Sequence, residues 1–245
     1  MTVTAAAVAL TIGVAMGLFG GGGSLLLVPA LTYLMGFDAK QAVTTSLAVV
    51  GISAAVGSAA RLAQGTLPIK PALVIGIATV LGAFAGSVIG ARLDDHLQLR
   101  IFGVVVGAAA IALGWQAVFG YGPAKPATGR TVLAAAGIGV GLVTGLLGVG
   151  GGFLIVPALV MGANLEMRPA TSVSLFVMVL ATASAFVGYA GTVTPAWSFV
   201  VPFSLVASAG TIAGGIAGQS VPQRLLQQVF AAGLIVVAAF ILTRG

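Results

Sequence analysis

The sequence predicts an all-α polytopic membrane protein made of two homologous halves. Two observations carry this prediction. Hydrophobic residues make up 59% of the 245 positions and charged residues only 6%, whereas a soluble domain carries about 25% charged residues. A glycine-rich motif also occurs twice, once in each half of the chain. The composition is that of an integral membrane protein, and the duplication indicates a structural unit that is used twice.

The two copies of the motif end in the same Pro-Ala-Leu sequence. The first copy reads Gly17-Leu-Phe-Gly-Gly-Gly-Gly-Ser-Leu-Leu-Leu-Val-Pro29, and the second reads Gly145-Leu-Leu-Gly-Val-Gly-Gly-Gly-Phe-Leu-Ile-Val-Pro157. The interval from Gly17 to Gly145 along the chain equals the interval from Pro29 to Pro157. Two residues that are separated by this interval, one in each half, are called counterparts. Because many later residues match their counterparts, we predict a first repeat over residues 1–120, a linker over 121–130 and a second repeat over 131–245.

Apolar segments of spanning length recur along both halves. A helix of about 20 apolar residues crosses a bilayer core about 30 Å thick. We predict spans at residues 3–19, 41–60, 71–91 and 99–119, then at 131–147, 169–189, 196–219 and 225–243. Shorter apolar pieces at 23–35 and 151–163 follow the glycine clusters. Their length is more typical of a broken or re-entrant helix than of a full span.

The number of crossings decides how the two halves are oriented. If the short pieces cross, each half has five membrane segments, and the halves are inverted repeats as in many secondary transporters. If the short pieces enter and leave on one side, each half has four spans and the repeats are parallel. We favour the inverted arrangement. Six basic residues, including Arg61 and Arg168, then lie on one side and four on the other, a weak bias that places the first side in the cytoplasm.

The charged residues exclude several function classes. The net charge is +6, but the ten basic residues are scattered singly among short loops, so a nucleic-acid partner is not expected. The chain has no cysteine and one histidine, and we expect neither a metal site nor a cofactor. An enzyme is not expected either, since the spans offer hydroxyls without a histidine or carboxylate to activate them.

All four acidic residues lie in loops or at span ends, at Asp38, Asp94, Asp95 and Glu166. A proton-driven carrier usually keeps an ionisable group inside the membrane, because a charge there is costly and is retained for function. The sequence therefore favours a passive or potential-driven anion pathway over a cation carrier with a carboxylate relay.

Consecutive glycines indicate unwound or sharply turned backbone. A helix that begins at membrane depth presents unpaired N–H groups and partial positive charge, which favour anions. Such backbone is tolerated where it is buried in protein or lines a water-filled cavity. Tight helix packing needs only one small residue per turn. That explanation suits Gly82, Gly86 and Gly90 and their counterparts, whereas for the clusters we favour a role in lining a cavity.

Hydroxyl side chains begin the span that follows each short piece. Thr44, Thr45 and Ser46 lie in the first half, and Thr171, Ser172 and Ser174 in the second. Neutral hydroxyls can donate hydrogen bonds to oxyanions without the cost of burying a charge. The alternative is that they bond the preceding helical turn or a neighbouring helix. Arg61 comes directly after the first of these spans, where it could lie in a vestibule and attract anions. Because its counterpart is Tyr189, we favour the ordinary alternative that the side chain reaches to the interface.

The paired Gly-x-x-Gly-x-Gly-Gly-Gly/Ser…Pro-x-Leu motif, the two-half layout and the downstream Thr-Ser cluster resemble the sulfite exporter TauE/SafE family of bacterial and archaeal permeases. The resemblance covers residues 5 to 242. It implies a multi-pass transporter of the bacterial inner membrane that moves sulfite, organosulfonates such as sulfoacetate, or related small anions, usually outward. The expected partners are a small anionic substrate and the lipid bilayer, and a homo-oligomer is left open.

The resemblance also implies a substrate region. We expect alternating access around a site near the midplane, between the two glycine-led broken helices. An anion channel, or a permease for another small anion or a metal ion, is the alternative. The residues that the resemblance assigns to substrate binding are Gly20, Gly21, Gly22, Gly23, Ser24, Pro29, Thr44, Thr45, Ser46, Gly150, Gly151, Gly152, Phe153, Pro157, Ser172 and Ser174.

Overall fold

The computed structural model describes residues 3–94, 97–98, 100–108, 111, 130–162 and 165–222, together with 225, 226, 228, 229, 232 and 233. Within these ranges every regular element is a helix. Four of the helices are long and apolar enough to cross a membrane by length and composition. The predicted linker lies outside the described residues except for Arg130, where a helix begins.

The described helices follow the predicted spans closely. Residues 100–108 are also helical and belong to the predicted span 99–119, while most of that span and of the span 225–243 lies outside the described residues. Two pairs of helices begin at counterpart positions, at Ala39 and Met167 and at Ile69 and Trp197. The helices are α1 (Val3–Phe19), α2 (Gly22–Leu34), α3 (Ala39–Ala63), α4 (Ile69–Gly90), α5 (Arg130–Leu147), α6 (Gly152–Gly162), α7 (Met167–Gly188) and α8 (Trp197–Ser220).

The two short apolar pieces differ in regularity. Helix α2 begins with a 3₁₀ segment, continues through one α-helical turn that ends at Pro29, and finishes as a π-helix over Ala30–Leu34. Pro29 supplies no amide donor to the helical hydrogen-bond ladder. Helix α6 stays α-helical over its 11 residues although Pro157 lies inside it. The first piece is therefore a broken helix and the second is a short continuous one.

Helices of one half pack mainly on helices of the other half. The two most extensive pairs are α4 with α5 and α1 with α8. Glycines allow this close approach: a Cβ placed on Gly86 would lie 2.8 Å from the carbonyl carbon of Leu142 in α5, and one on Gly214 would lie 2.9 Å from the carbonyl carbon of Val14 in α1. Spaced glycines therefore serve helix packing, as the sequence predicts. The two halves share one interlocked core.

The contacting residues also give the relative directions of the helices. Residue numbers rise together along α1 and α8, since Gly13 lies against Ala207 and Gly17 against Gly215. They run in opposite directions along α3 and α7. A Cβ on Gly51 would lie 3.1 Å from Thr182 Oγ1, whereas one on Gly57 would lie 3.3 Å from Leu175 Cδ1. Helices α1 and α8 are thus parallel, and α3 and α7 are antiparallel.

Further pairs assign the remaining helices to these two directions. Helix α3 is parallel to α8, because Gly57 lies against Thr211 and Arg61 against Gly215. Helix α4 is parallel to α7, because Gly76 lies against Leu180 and Ser87 against Gly188. It is parallel to α5 too, with Gly82 against Ile138 and Gly86 against Leu142. Helices α1, α3 and α8 share one direction, and α4, α5 and α7 share the other.

Candidate functional site

The two glycine clusters touch each other. A Cβ placed on Gly152 would lie 2.7 Å from both the Cα and the carbonyl carbon of Gly21. These residues immediately precede or begin the short helices, so the N-termini of α2 and α6 meet at this point. Both clusters turn through backbone conformations that side chains rarely adopt. The residues with positive φ are Gly20 and Gly21 in the first cluster and Gly148, Gly150 and Gly151 in the second.

Each cluster also packs on a long helix of the other half. Gly20 lies against Thr171 of α7, and Gly148 lies against Val43 of α3. The two contacts are equivalent, because Gly148 is the counterpart of Gly20 and Thr171 is the counterpart of Val43. The glycine-led turns therefore hold the two halves together in a nearly symmetrical way. The predicted neighbourhood of the two clusters is present in the folded chain.

The space around this contact is filled by apolar side chains. The thioether of Met178 lies against Gly21 and Gly152, and its methyl group would be 3.1 Å from a Cβ on Gly150. Val50, the counterpart of Met178 in the first half, lies against Gly150 as well. All of these residues are buried. In this conformation the clusters are closely packed, and their role in lining a cavity stays a prediction.

Two buried serines bond to the backbone of this contact, and a third buried serine is the counterpart of one of them. The Ser24 hydroxyl donates to the carbonyl of Gly21 at 2.7 Å, and that of Ser174 donates to the carbonyl of Gly152 at 3.4 Å. Ser46 has the same position in the first half as Ser174 in the second. Its buried hydroxyl has no hydrogen-bond partner among the residues that the structure describes. The hydroxyls of Ser24 and Ser174 therefore lie at the contact between the two clusters.

The other predicted hydroxyls mostly bond locally. Thr44 donates to the carbonyls of Lys40 and Gln41, and Ser172 donates to that of Arg168. Thr45 accepts a hydrogen bond of 3.4 Å from the backbone N–H of Ala196. For Thr44 and Ser172 the structure thus has the local bonding that the sequence left open as the alternative.

The remaining predicted site residues belong to the two short helices. Gly22 and Gly23 begin the 3₁₀ segment of α2. Phe153 is buried in the main core, next to Gly152 in sequence. Pro29 is buried within α2, whereas Pro157 is partly exposed within α6.

A cavity of about 450 Å³ opens at one end of the bundle, where α1, α3 and α8 end and α7 begins. Of the predicted substrate residues it contains Ser172. The polar residues that matter in its lining are Arg61, Glu166, Arg168, Thr171, Ser172 and Gln219. Both Glu166 and Arg168 are exposed, but only 8% of Arg61 is.

The guanidinium of Arg61 is held by backbone. Its Nη2 donates to the carbonyl of Gly17 at 3.3 Å, and a Cβ on Gly215 would lie 3.4 Å from the same nitrogen. The expectation that Arg61 simply reaches to the interface is therefore wrong. The helical spacing carried the signal: Arg61 shares a face with the buried residues Ala54 and Gly57 of α3.

The equivalent position at the other end of the bundle is closed. Tyr189, the counterpart of Arg61 in the second half, is only 1% exposed. Its hydroxyl donates to the carbonyl of Leu146 at 3.1 Å and accepts a hydrogen bond of 2.8 Å from Gln98 Nε2. Gly90 lies against this hydroxyl. Apolar residues, among them Val43, pack around the ring.

A larger cavity of about 910 Å³ lies where α1 and α8 begin and α2 ends. Its lining is almost entirely apolar and includes Val8, Leu34, Phe37 and Phe199.

No group of three or more His, Cys, Asp or Glu side chains that could hold a metal ion occurs in the described part of the chain.

Comparisons with known proteins agree with these features. The family model described as "Sulfite exporter TauE/SafE" matches residues 5–241. A "Probable membrane transporter protein" of Xylella fastidiosa is 29% identical over 244 residues, covering 96% of this chain and 92% of that protein, and one from a second strain is 30% identical with the same coverage. A "Probable membrane transporter protein" of Methanocaldococcus jannaschii is 28% identical over 73% of this chain and 68% of its own length. No solved structure matches the chain significantly.

Proposed function

The chain belongs to the sulfite exporter TauE/SafE family, and we propose that it is a secondary transporter that exports sulfite or an organosulfonate such as sulfoacetate. That it is a multi-pass membrane transporter follows from the family and from its relatives. Several apolar helices of spanning length agree with a location in the inner membrane. The proposal adds the substrate class, the outward direction and the mechanism.

The observation that carries an alternating-access mechanism is the difference between the two ends of the bundle. At one end Arg61 faces an open cavity, and at the other Tyr189 and Gln98 close the equivalent position. A transporter with one site reached in turn from two sides needs one end open while the other is closed. The conformation has this difference at the position that Arg61 and Tyr189 share, and a larger apolar cavity of about 910 Å³ also lies at the Tyr189 end.

We infer that the two halves are inverted repeats. Each of three helices in the first half has a counterpart in the second half: α1 has α5, α3 has α7, and α4 has α8. The contacts described above indicate that the two helices of each pair run in opposite directions. Since α1 and α3 share a direction, the segment 20–38 returns the chain to the side where α1 began. On this interpretation α2 crosses the membrane, and each half has an odd number of segments. Inverted repeats of this kind underlie many secondary transporters.

The substrate site in this proposal lies at the contact between Gly21 and Gly152. Two observations support it: the N-termini of α2 and α6 meet there, and the buried hydroxyls of Ser24 and Ser174 donate to the carbonyls of Gly21 and Gly152. Helix N-termini carry partial positive charge and unpaired N–H groups, which suit an anion. Substrate entry then requires Met178 to move aside, as a flexible thioether side chain can.

Purified protein in liposomes tests the function. Flux of sulfite, sulfoacetate, sulfate and nickel is measured with a membrane potential and a proton gradient imposed separately. The proposal expects saturable flux of a sulfur anion that is accelerated by the same anion on the opposite face. Single-channel currents would replace the carrier by an anion channel. Flux of nickel alone, or of no sulfur anion, would refute the substrate class.

A further inference from the structure

The cavity at the open end has the properties of an anion-binding vestibule. Its lining places one guanidinium, that of Arg61, inside the bundle and a second, that of Arg168, at the exposed rim. Among the described lining residues, Glu166 is the one acidic side chain. The two arginines outweigh this carboxylate, so the lining is positive overall. Low-dielectric walls concentrate such a potential and raise the local concentration of anions.

Arg61 has donors to spare. A guanidinium carries five N–H donors in a planar fork, and in the described part of the chain the guanidinium of Arg61 makes one hydrogen bond, to the carbonyl of Gly17 at 3.3 Å. No carboxylate pairs with it among these residues, although only 8% of the side chain is exposed. Burying a charge without an ionic partner is costly. The planar fork matches the oxygens of a sulfite or a sulfonate group, which can accept two hydrogen bonds at once.

The surroundings of Arg61 favour an external acceptor over an internal one. Gly215 offers no side chain, so the guanidinium lies flat against α8. The hydroxyl of Thr171 donates to the carbonyl of Arg168 at 2.7 Å and that of Ser172 donates to the same carbonyl at 3.4 Å. These hydroxyl protons are already used within α7. The attraction for an anion therefore comes from the guanidinium of Arg61, with a smaller contribution from Arg168.

The opposite end of the molecule lacks this feature. Tyr189 takes the place of Arg61 there, and its neutral hydroxyl is bonded to Leu146 and Gln98. Only the Arg61 end therefore offers a buried cation to an incoming anion within the described residues. The weak bias of basic residues assigns this end to the cytoplasm, which is the side on which an exporter must load its substrate.

We propose that Arg61 binds the sulfur oxyanion in this vestibule before it reaches the contact between the glycine clusters, and that it sets the preference for anions at the loading side. This inference rests on the proposed function, since it names the residue that receives the same substrate. It assigns to Arg61 direct contact with the anion and to Arg168 a rim charge.

The first test compares Arg61→Gln, Arg61→Lys and the matched control Arg168→Gln. Equilibrium binding of radiolabelled sulfite to purified protein and the KM for sulfite from the Arg61 side are both measured. Hydrogen bonds to charged groups contribute about 1.5–3 kcal/mol, so the Gln variant at Arg61 is expected to bind sulfite ~10–100-fold more weakly. Arg61→Lys restores part of the affinity, and Arg168→Gln changes it less than about threefold, as expected for an exposed charge.

The outcomes separate this inference from the proposed function. If the unmodified protein carries no sulfur anion, the proposed function fails whatever the variants do. If it carries sulfite and Arg61→Gln leaves both the sulfite affinity and the KM unchanged, the transporter stands and the vestibule is refuted. Equal losses in Arg61→Gln and Arg168→Gln would also refute a direct contact, because the effect would then be one of overall charge.

A second measurement keeps Arg61 in place in case its variants fail to fold. The chain has no cysteine, so a single cysteine is the only thiol. Thr66→Cys places it in the exposed part of the vestibule lining, and Thr192→Cys is the matched control in the exposed turn that follows Tyr189. Thiosulfonate reagents that carry either a sulfonate or a quaternary ammonium group are compared, with sulfoacetate as the competing anion.

If the vestibule attracts anions, the ratio of the modification rate of the anionic reagent to that of the cationic reagent is higher at Thr66→Cys than at Thr192→Cys. The vestibule also predicts that sulfoacetate slows modification at Thr66→Cys alone, because bound anion neutralises the guanidinium and occupies the cavity. An identical ratio of anionic to cationic rates at the two positions, with no protection by sulfoacetate, would overturn the inference.

Discussion

Arg61 and Tyr189 occupy the same position in the two halves of the chain, yet one faces a cavity and the other is sealed into the protein. The guanidinium keeps a single hydrogen bond to Gly17 within the described chain, whereas the phenol hydroxyl is bonded to both Leu146 and Gln98. A duplicated framework has thus acquired different chemistry at its two ends. This difference makes the two ends separately testable.

Replacing Gly152 with alanine should impair transport strongly. The new Cβ would lie 2.7 Å from the backbone of Gly21, so the two short helices would be pushed apart, and we expect a loss of at least ~10-fold in flux, equivalent to about 1.4 kcal/mol or more. Gly139→Ala is the control, since a Cβ there meets nothing within 4 Å. Flux in liposomes is the measurement. Equal flux in the two variants would show that the glycine contact is dispensable.

Replacing Gly86 with valine should destabilise the protein. The side chain would enter the backbone of α5, where even a Cβ would lie 2.8 Å from the carbonyl carbon of Leu142. Overpacking of this kind typically costs about 1–3 kcal/mol. Thermal unfolding in detergent is expected to occur at a lower temperature than for Gly107→Val, because nothing lies within 4 Å of a Cβ on Gly107. Unchanged melting of the Gly86 variant would contradict the close packing of α4 on α5.

Tyr189→Phe should loosen the closed end. The variant removes one donor to the Leu146 carbonyl and one acceptor of Gln98 Nε2, while these two groups keep their hydrogen bond of 2.6 Å to each other. Each lost hydrogen bond contributes about 0.5–1.5 kcal/mol. We therefore expect faster modification of a cysteine at Thr192, measured with a membrane-impermeant thiol reagent. Tyr33→Phe, on α2, is the matched control. The proposed closure would be wrong if both variants reacted at the same rate as the unsubstituted background.

Ser46→Ala should separate stability from transport. Its buried hydroxyl has no partner in the described chain, so its removal should leave the melting temperature unchanged or raise it. If the hydroxyl binds substrate, the affinity for the anion falls by ~10-fold, as for the loss of one hydrogen bond to a charged group. Thr79→Ala is the control for the stability measurement. Thr79 donates a hydrogen bond of 2.6 Å to the carbonyl of Ile75, so its replacement is expected to affect the melting temperature. Unaltered substrate affinity in Ser46→Ala would remove this serine from the site.

The helices could be predicted from the sequence because the solvent leaves little choice. Inside a bilayer every backbone N–H and carbonyl needs a partner, so an apolar run of about 20 residues becomes a helix. The predicted starts of α1, α3, α4, α5, α7 and α8 lie within two residues of the observed ones. The packing role of Gly86 was likewise predictable from its spacing with Gly82 and Gly90.

The candidate site was predictable only in part. The glycine motif indicated that Gly21 and Gly152 matter, and the repeat suggested that the two clusters lie close together. Nothing in the local sequence indicates that Met178 fills the space between them. Its contact with Gly21 joins residues far apart in the chain, and such contacts depend on how whole helices cross.

The amino-acid sequence alone determined the membrane setting, the helices, the duplication and the family, because each depends on composition or on a motif that can be read locally. The tertiary structure alone decided that Arg61 faces a cavity while Tyr189, its counterpart, is sealed. That property depends on pairs such as Gln98 with Tyr189, which are 91 residues apart, and Arg61 with Gly17, which are 44 apart. The first pair forms only when the two halves pack on one another, and the second only when α3 packs on α1, so no local pattern encodes either of them.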